Sequence, residues 1–299
     1  MEQSGKVVVF DMDETLGYFT EFGIFWDSLK QYCEKENINF QLAEHQFNDI
    51  FGLYPEFIRP NILSILNYLK RKVESKKCQG VMIYTNNTGP KPWVLHIKDF
   101  FESKIKYKLF NHVICAFKIN GKQIEMCRTT HEKTLKDFIR CTKLPENTQI
   151  CFLDDLFHPK MNYDNVYYIK LQAYTNELSF SELLQRFANS KAGKSIIKDN
   201  TYFYEWMTNQ MSKYEYDYVE KTKEDYEIDK IITKKTMIYL QNFFHNKTTA
   251  DTTKKMNMDF SKKSKKIEGR KTNGLLKIII SYCLLRRHLF FFGLHFLVT

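Results

Sequence analysis

The sequence predicts an α/β protein built on a parallel sheet with helices on both faces. Three observations carry that expectation. Residues 7–10, 81–84 and 150–153 are short, continuous runs of β-branched, aromatic and other apolar side chains, the pattern of strands buried on both faces. Each run empties at once into a polar loop: Asp11-Met12-Asp13, Thr85-Asn86-Asn87 and Asp154-Asp155. Helical periodicity lies between them.

Taken in order, residues 7–10 form the first strand. The stretch from Tyr18 to Tyr54 is longer than an ordinary strand-to-helix loop and is amphipathic around residues 26–33, which predicts a flap or small cap inserted after that strand. Residues 61–72 place Ile62, Ile65, Leu66 and Leu69 on one helical face, and residues 133–141 do the same with Leu135, Phe138 and Ile139. Residues 166–169 supply a fourth strand. Ser179, with Glu182 three positions later, opens a helix through about Asn189. Helices follow over 202–211 and 225–244. The expected organisation is a catalytic-type domain over 1–190, a helical extension over 191–246, and a basic linker with an apolar tail over 247–299.

Charge is unevenly placed. Residues 1–190 hold 24 basic and 23 acidic side chains, whereas 191–299 hold 21 and 12, so any anionic partner belongs to the C-terminal third. Within 247–274, nine basic residues face three acidic ones, and residues 261–266 (Ser-Lys-Lys-Ser-Lys-Lys) suit a nuclear-localisation signal, an anionic tether or a solubilising linker. Residues 275–299 are apolar but interrupted by Lys277, Arg286 and Arg287, short of the ~18 uninterrupted residues a membrane span needs. Seven cysteines form no C-x-x-C pair. Cys115, Cys141 and Cys151 sit in or beside apolar runs, where a reduced thiol behaves as a small hydrophobe. Together with an N-terminus unlike a secretory signal, this predicts an intracellular protein of cytoplasm or nucleus, without a stable nucleic-acid complex.

The strand ends carry the chemistry. In open α/β sheets ligands bind outside the carboxyl ends of the strands, which gathers Asp11, Asp13, Thr15, Thr85, Asn86, Asp154 and Asp155 into one candidate site. Four carboxylates in one crevice repel each other unless a cation sits among them, and an all-oxygen set suits Mg²⁺. Asp11 and Asp13, two residues apart after a strand, are placed as nucleophile and acid/base. An Asp-x-Asp-x-Thr pattern alone arises by chance in roughly one such chain in twenty. The ordered set of strand ends, with Lys133 between the second and third, is what makes the pattern specific.

Phe10-Asp11-Met12-Asp13-Glu14-Thr15-Leu16 resembles the first motif of the haloacid-dehalogenase-like (HAD-like, Rossmannoid) superfamily, in the D-x-D-E-T-L form of its RNA polymerase II C-terminal-domain phosphatase (NIF-like) branch. Arg59-Pro60 is similar to that branch's R-P segment, Tyr84-Thr85-Asn86 to its second motif and Asp154-Asp155 to its fourth, over residues 6–190. Two departures stand out: the lysine precedes Thr-Leu, with Lys136 and Lys143 nearby, and Leu156-Phe157-His158-Pro159 replaces the branch's Ser-Pro. The composition is also similar to that of proteins from large DNA viruses. The resemblance implies a Mg²⁺-dependent phosphomonoester hydrolase. In it Asp11 is the nucleophile and Asp13 the acid/base, while Thr85 and Asn86 cradle the phosphoryl group beside Thr15. Lys133 neutralises charge, and the metal is held by Asp11, the Asp13 carbonyl and Asp155, with Asp154 ligating through water or orienting Lys133. The implied substrate is a phosphoserine polypeptide such as the RNA polymerase II C-terminal repeat. A phosphatase for a small metabolite or nucleic-acid end, with residues 18–54 as a lid, and a catalytically silent adaptor using the basic tail are the alternatives.

Overall fold

The computed structural model describes residues 5–214 and 218–245; the basic linker, the apolar tail and Cys283 lie outside them. Chain order is β1 (Lys6–Phe10), α1 (Thr20–Lys35), α2 (Gln41–Glu44), α3 (Phe47–Phe51), α4 (Ile62–Glu74), β2 (Gly80–Tyr84), α5 (Lys91–Ile105), β3 (Phe110–Ile114), β4 (Lys118–Ile119) and β5 (Lys122–Gln123). It continues with α6 (Leu135–Thr142), β6 (Gln149–Asp154), β7 (Val166–Lys170), α7 (Phe180–Asn189), α8 (Lys191–Ile196), α9 (Asn200–Met211) and α10 (Lys223–Phe244).

Five strands form one parallel sheet in the order β3-β2-β1-β6-β7. The chain builds outward from β1 on one side, then crosses to β6 and builds outward on the other. That reversal leaves a crevice outside the carboxyl ends of β1 and β6. Apolar side chains alternate between the sheet faces, as strand geometry requires. Val8, Phe10, Val81, Ile83, Cys151 and Leu153 face a thick layer holding α1, α4, α5, α7 and α9. Val7, Val9, Met82, Tyr84, Ile150 and Phe152 face a thin one, where Phe138 and Cys141 of α6 supply the buried helical side chains.

Residues 18–54 do not form the expected flap. They fold as α1, α2 and α3, and Phe22, Phe25, Leu29, Phe51 and Tyr54 are buried in the main core. The physical reason is aromatic content: the Phe22 ring lies 4.8 Å from that of Phe51 and 5.6 Å from that of Tyr54, and so many rings are more stable packed than hinged over solvent. The helices of 191–244 also pack on this body. Tyr32 of α1 meets Phe203 and Trp206 of α9, and Phe243 of α10 meets Tyr167 of β7.

Ser179 caps α7 as its sequence suggests, its hydroxyl accepting from the Glu182 N–H. The expected helix at 133–141 begins later, at Leu135, with Thr134 as the cap accepting from the Asp137 N–H; Lys133 therefore belongs to the loop before it. Cys141 is not a free thiol. It is joined to Cys127 by a disulfide, a pairing of distant segments that linear spacing does not disclose, while Cys33, Cys78, Cys115 and Cys151 are free and buried. Among the described residues no helix is long and apolar enough to cross a membrane.

Candidate active site

The backbone after β1 turns sharply. The Asp11 N–H still donates to the Leu153 carbonyl across the sheet (2.8 Å), after which Glu14 takes a left-handed conformation (φ 56°) and donates to the Gly17 carbonyl (2.7 Å). This turn is held from behind by Arg59, which is buried. Its Nε donates to the Thr15 carbonyl (2.7 Å), and one terminal nitrogen donates to the carbonyls of Glu14 (2.6 Å) and Gln172 (2.8 Å). A planar guanidinium suits this work because it presents several donors in fixed directions.

A second buried arginine fastens the other wall. Arg128 donates to the carbonyls of Thr85 (3.1 Å), Cys115 (2.8 Å), His131 (3.0 Å) and Glu132 (3.2 Å). It thereby ties the end of β2 to the residues immediately before Lys133. Asp137 of α6 accepts from the Thr129 N–H and hydroxyl, and the Cys127–Cys141 disulfide closes the same loop.

Lys133 extends from that fastened loop into the crevice. Its ammonium donates to Asp11 Oδ1 (2.5 Å) and Asp154 Oδ2 (2.7 Å), flanked by the rings of Tyr84 and Phe152. Lys136 is exposed, and Lys143 stands at the far end of α6; it is Lys133 that meets the carboxylates. Asp154 is fully engaged, since its Oδ1 accepts the Leu156 N–H (2.8 Å) and its Oδ2 also lies 3.2 Å from His158 Nε2. The Asp155 carboxylate, 8% exposed, accepts no hydrogen bond from a described residue. Ligand atoms of Asp11, Asp154 and Asp155 all lie within 4.8 Å of one another.

The charges explain the proton affinities. Burial pushes Asp11 above the ordinary carboxylate value against the opposing pull of Lys133, and burial with Asp11 nearby raises Asp13 to about 7. Burial, then Asp11 and Glu14, raise Asp155 to about 8. Burial also works against ionisation of Asp154, but Lys133 and His158 outweigh it and hold that carboxyl below its ordinary value. One ammonium thus faces a group of buried carboxyls that cannot all ionise without further positive charge. An additional hard cation fits this set: the donors are all oxygen, and the unpartnered Asp155 is the natural first ligand.

Asp13 stands apart from the three-carboxylate cluster. Its Oδ2 accepts from Asn87 Nδ2 (2.9 Å), whose amide orientation is fixed because Asn87 Oδ1 accepts the Gly89 N–H (2.8 Å). The Asn87 N–H donates to Thr85 Oγ1 (2.9 Å), so this one residue connects Thr85 to Asp13. Asn86 is exposed at the mouth. Thr15 is buried, its hydroxyl unpartnered and its carbonyl held by Arg59. Of the residues that sequence reasoning passed over, Asn87 lay within a recognised polar loop. Arg128 gave no sequence signal, because a buried arginine reads like any surface one.

No family model, curated protein or solved structure matches the chain.

Proposed function

We propose that the protein is a HAD-like, metal-dependent phosphomonoester hydrolase acting on phosphoserine in polypeptides, with the RNA polymerase II C-terminal repeat as the substrate type its motifs resemble. The observation that carries this reading is Lys133 bridging Asp11 and Asp154 at the switch point of a parallel sheet, with Asp155 unpartnered beside them. Asp11 and Asp155 with the Asp13 carbonyl would hold Mg²⁺, while Asp154 serves to orient Lys133. When bound, the ion supplies positive charge to phosphoryl oxygens and lets the neighbouring carboxyls ionise together.

Asp11 attacks phosphorus in line, forming the Asp11 O–P bond as the serine O–P bond breaks. Asp13, whose raised proton affinity keeps a proton available near neutral pH, gives that proton to the departing serine oxygen. It then accepts a proton from the water that attacks the aspartyl-phosphate, and phosphate leaves with Asp11 restored. The Thr85 hydroxyl and the Asn86 N–H hold phosphoryl oxygens, and Lys133 offsets the negative charge, which is most of what phosphoryl transfer asks of a protein. A polypeptide substrate is favoured over a small metabolite because residues 18–54 are packed in the core and give no lid. Asn86, Thr88, Leu156 and Phe157 stand exposed beside the crevice.

The direct test is Mg²⁺-dependent phosphate release from a phosphoserine heptad peptide and from p-nitrophenyl phosphate. Preference for the peptide supports the polypeptide reading, whereas equal or better turnover of small phosphate esters returns the metabolite enzyme.

Two further results are expected. Asn87→Ala frees the Asp13 carboxylate to rotate, and turnover should fall about 10- to 100-fold. The loss should be larger for phenyl phosphate, a poor leaving group, than for p-nitrophenyl phosphate; equal losses would exclude a role through Asp13. The metal should also be visible in melting curves. Asp13 and Asp155 hold protons in the folded state up to about 7 and about 8, far above unfolded values near 3.9. Their contribution to stability is therefore complete below pH ~4 and is lost as pH rises through 7 and 8. Without metal, Tm should fall between pH 5.5 and 8. Saturating Mg²⁺ should restore it most at pH 8, by about 2.7 kcal/mol at a hundredfold excess over Kd. A melting curve indifferent to Mg²⁺ at both pH values would exclude the ion from this cluster.

A further inference from the structure

Helix α10 has two unlike faces. Inward, it buries Ile232, Thr236, Leu240 and Phe243, and both ends are fastened to the body. Asn176 Nδ2 donates to the Tyr226 hydroxyl (2.7 Å), and the Phe243 ring lies 5.7 Å from that of Tyr167. The helix is thus a fixed rib of 22 residues, roughly 33 Å long at about 1.5 Å per residue. Outward, it presents Ile228, Ile231 and Ile238, which are 39%, 52% and 49% exposed.

Isoleucine gains nothing at an exposed helical position, because its branched Cβ loses rotamer freedom there and straight-chain residues make better helices. Single apolar side chains scattered over a surface need no account, but these three are not scattered. They are the only isoleucines exposed among the described residues, and their successive spacings follow the seam of a heptad repeat. At about 100° per residue, Ile228, Ile231, Lys235 and Ile238 fall within an arc of about 80°, on the side away from the buried residues.

The charges of the rib divide along its length. Residues 224–229 hold four acidic side chains and no basic one, whereas residues 230–244 hold three lysines and no acidic one. Asp229 is buried against Lys221, and Asp225 completes the cap with Thr222. Glu224 and Glu227 therefore face water on one half, and Lys230 and Lys234 on the other. Glu227 pairs with Lys230 of its own helix at 2.6 Å, with both side chains exposed, and such a pair contributes little by itself. A parallel neighbour would set lysine against lysine along this seam. An antiparallel copy sets each acidic half against the other's basic half, and a two-fold axis makes the same surface serve both partners. A lipid headgroup surface or a nucleic-acid backbone would be repelled by the acidic half.

We propose that α10 is a homodimer interface, in which two copies of the chain pack this helix antiparallel about a two-fold axis between residues 229 and 230. Ile228 of each copy then meets Ile231 of the other beside the axis, and Glu227 of each lies within a turn of Lys234 of the other. Both faces are formed before they meet, so little ordering is required. One helix on one helix is nonetheless a small surface, and a Kd on the order of 10 μM is expected. The inference is independent of the reaction assigned to the crevice.

The test is sedimentation equilibrium of the full chain. Wild type should pass from monomer to dimer between about 1 and about 100 μM. Ile231→Ser, with unchanged Tm, should raise Kd at least about tenfold. Glu227→Lys should raise it as well, and combining that change with Lys234→Glu should return Kd to the wild-type value. Oxidative cross-linking reads the orientation. Ile231→Cys should form a covalent dimer above the wild-type background, whereas Ile238→Cys, roughly 25 Å along the helix from its mate across the axis, should not. A chain that stays monomeric at about 100 μM overturns the proposal. So does a dimer indifferent to Ile231→Ser, which would be held elsewhere. Equal cross-linking of the two cysteine variants overturns the antiparallel arrangement.

Discussion

Asp11→Asn is expected to lower phosphate release by at least about 10⁴-fold on both p-nitrophenyl phosphate and the phosphoserine peptide. The substitution keeps size and polarity at the end of β1 but removes the charged oxygen that the proposed reaction joins to phosphorus. It also removes one of the buried carboxylates that repel each other, so the folded protein should not suffer. Tm in the absence of metal should hold or rise, because burial already works against that charge. Loss of activity with intact or improved stability is the signature of a nucleophile rather than of a structural aspartate. Retained activity in Asp11→Asn would end the aspartyl-phosphate mechanism outright. An inactive wild type that binds Mg²⁺ would move the assignment to the silent adaptor.

Lys133→Met is expected to behave differently, losing activity and stability together. Methionine fills the channel between Tyr84 and Phe152 with a similar apolar stem, yet leaves Asp11 and Asp154 without the ammonium that each accepts from. Removing one partner of a buried ion pair typically costs about 3–5 kcal/mol, since the remaining charges must either protonate or stay unpaired. The melting temperature should fall at neutral pH and recover partly at pH 5, where the abandoned carboxyls take up protons. Mg²⁺ should also rescue Tm without rescuing turnover, because under the proposed mechanism the ion would neutralise the cluster without replacing the ammonium assigned to the phosphoryl oxygens. A fully stable Lys133→Met protein would show that the bridge in the crevice contributes nothing to the fold.

Much of this architecture is written plainly in the chain. Strands β1, β2 and β6 are buried on both faces, so each appears as an unbroken apolar run with no alternation to confuse it, and the acidic loops after them mark the crevice. β3 is different. As an edge strand it carries exposed Asn111 and half-buried His112, and its mixed composition gives no run to recognise. The inserted helices α1 to α3 were legible as an insertion but not in their role, because length says how far a segment wanders and only tertiary packing says whether its aromatic side chains find a core. Within the site, the carboxylates and Lys133 announce themselves by type and order. Arg59, Arg128 and the cystine work through backbone carbonyls and chain closure, and such partners are set by proximity in space, which no local pattern encodes.

The unequal covering of the sheet has a dynamic consequence. The thick layer spreads its contacts over many helices, whereas on the other face the eight-residue α6 supplies the helical cover, and that helix follows directly from the lysine arm. Native proteins open in cooperative pieces, and the piece with the fewest buried contacts opens at the lowest free energy. Helix α6, whose buried side chains are Asp137, Phe138 and Cys141, is such a piece, with the cystine limiting how far it can stray once loosened. Amide exchange in α6 should therefore run ahead of that in β1 and β6, and should accelerate further on reduction. Departure of α6 would remove the support on one side of the Lys133 arm, making local breathing of one short helix the step that loosens the ammonium's hold on both aspartates while the sheet beneath it stays whole.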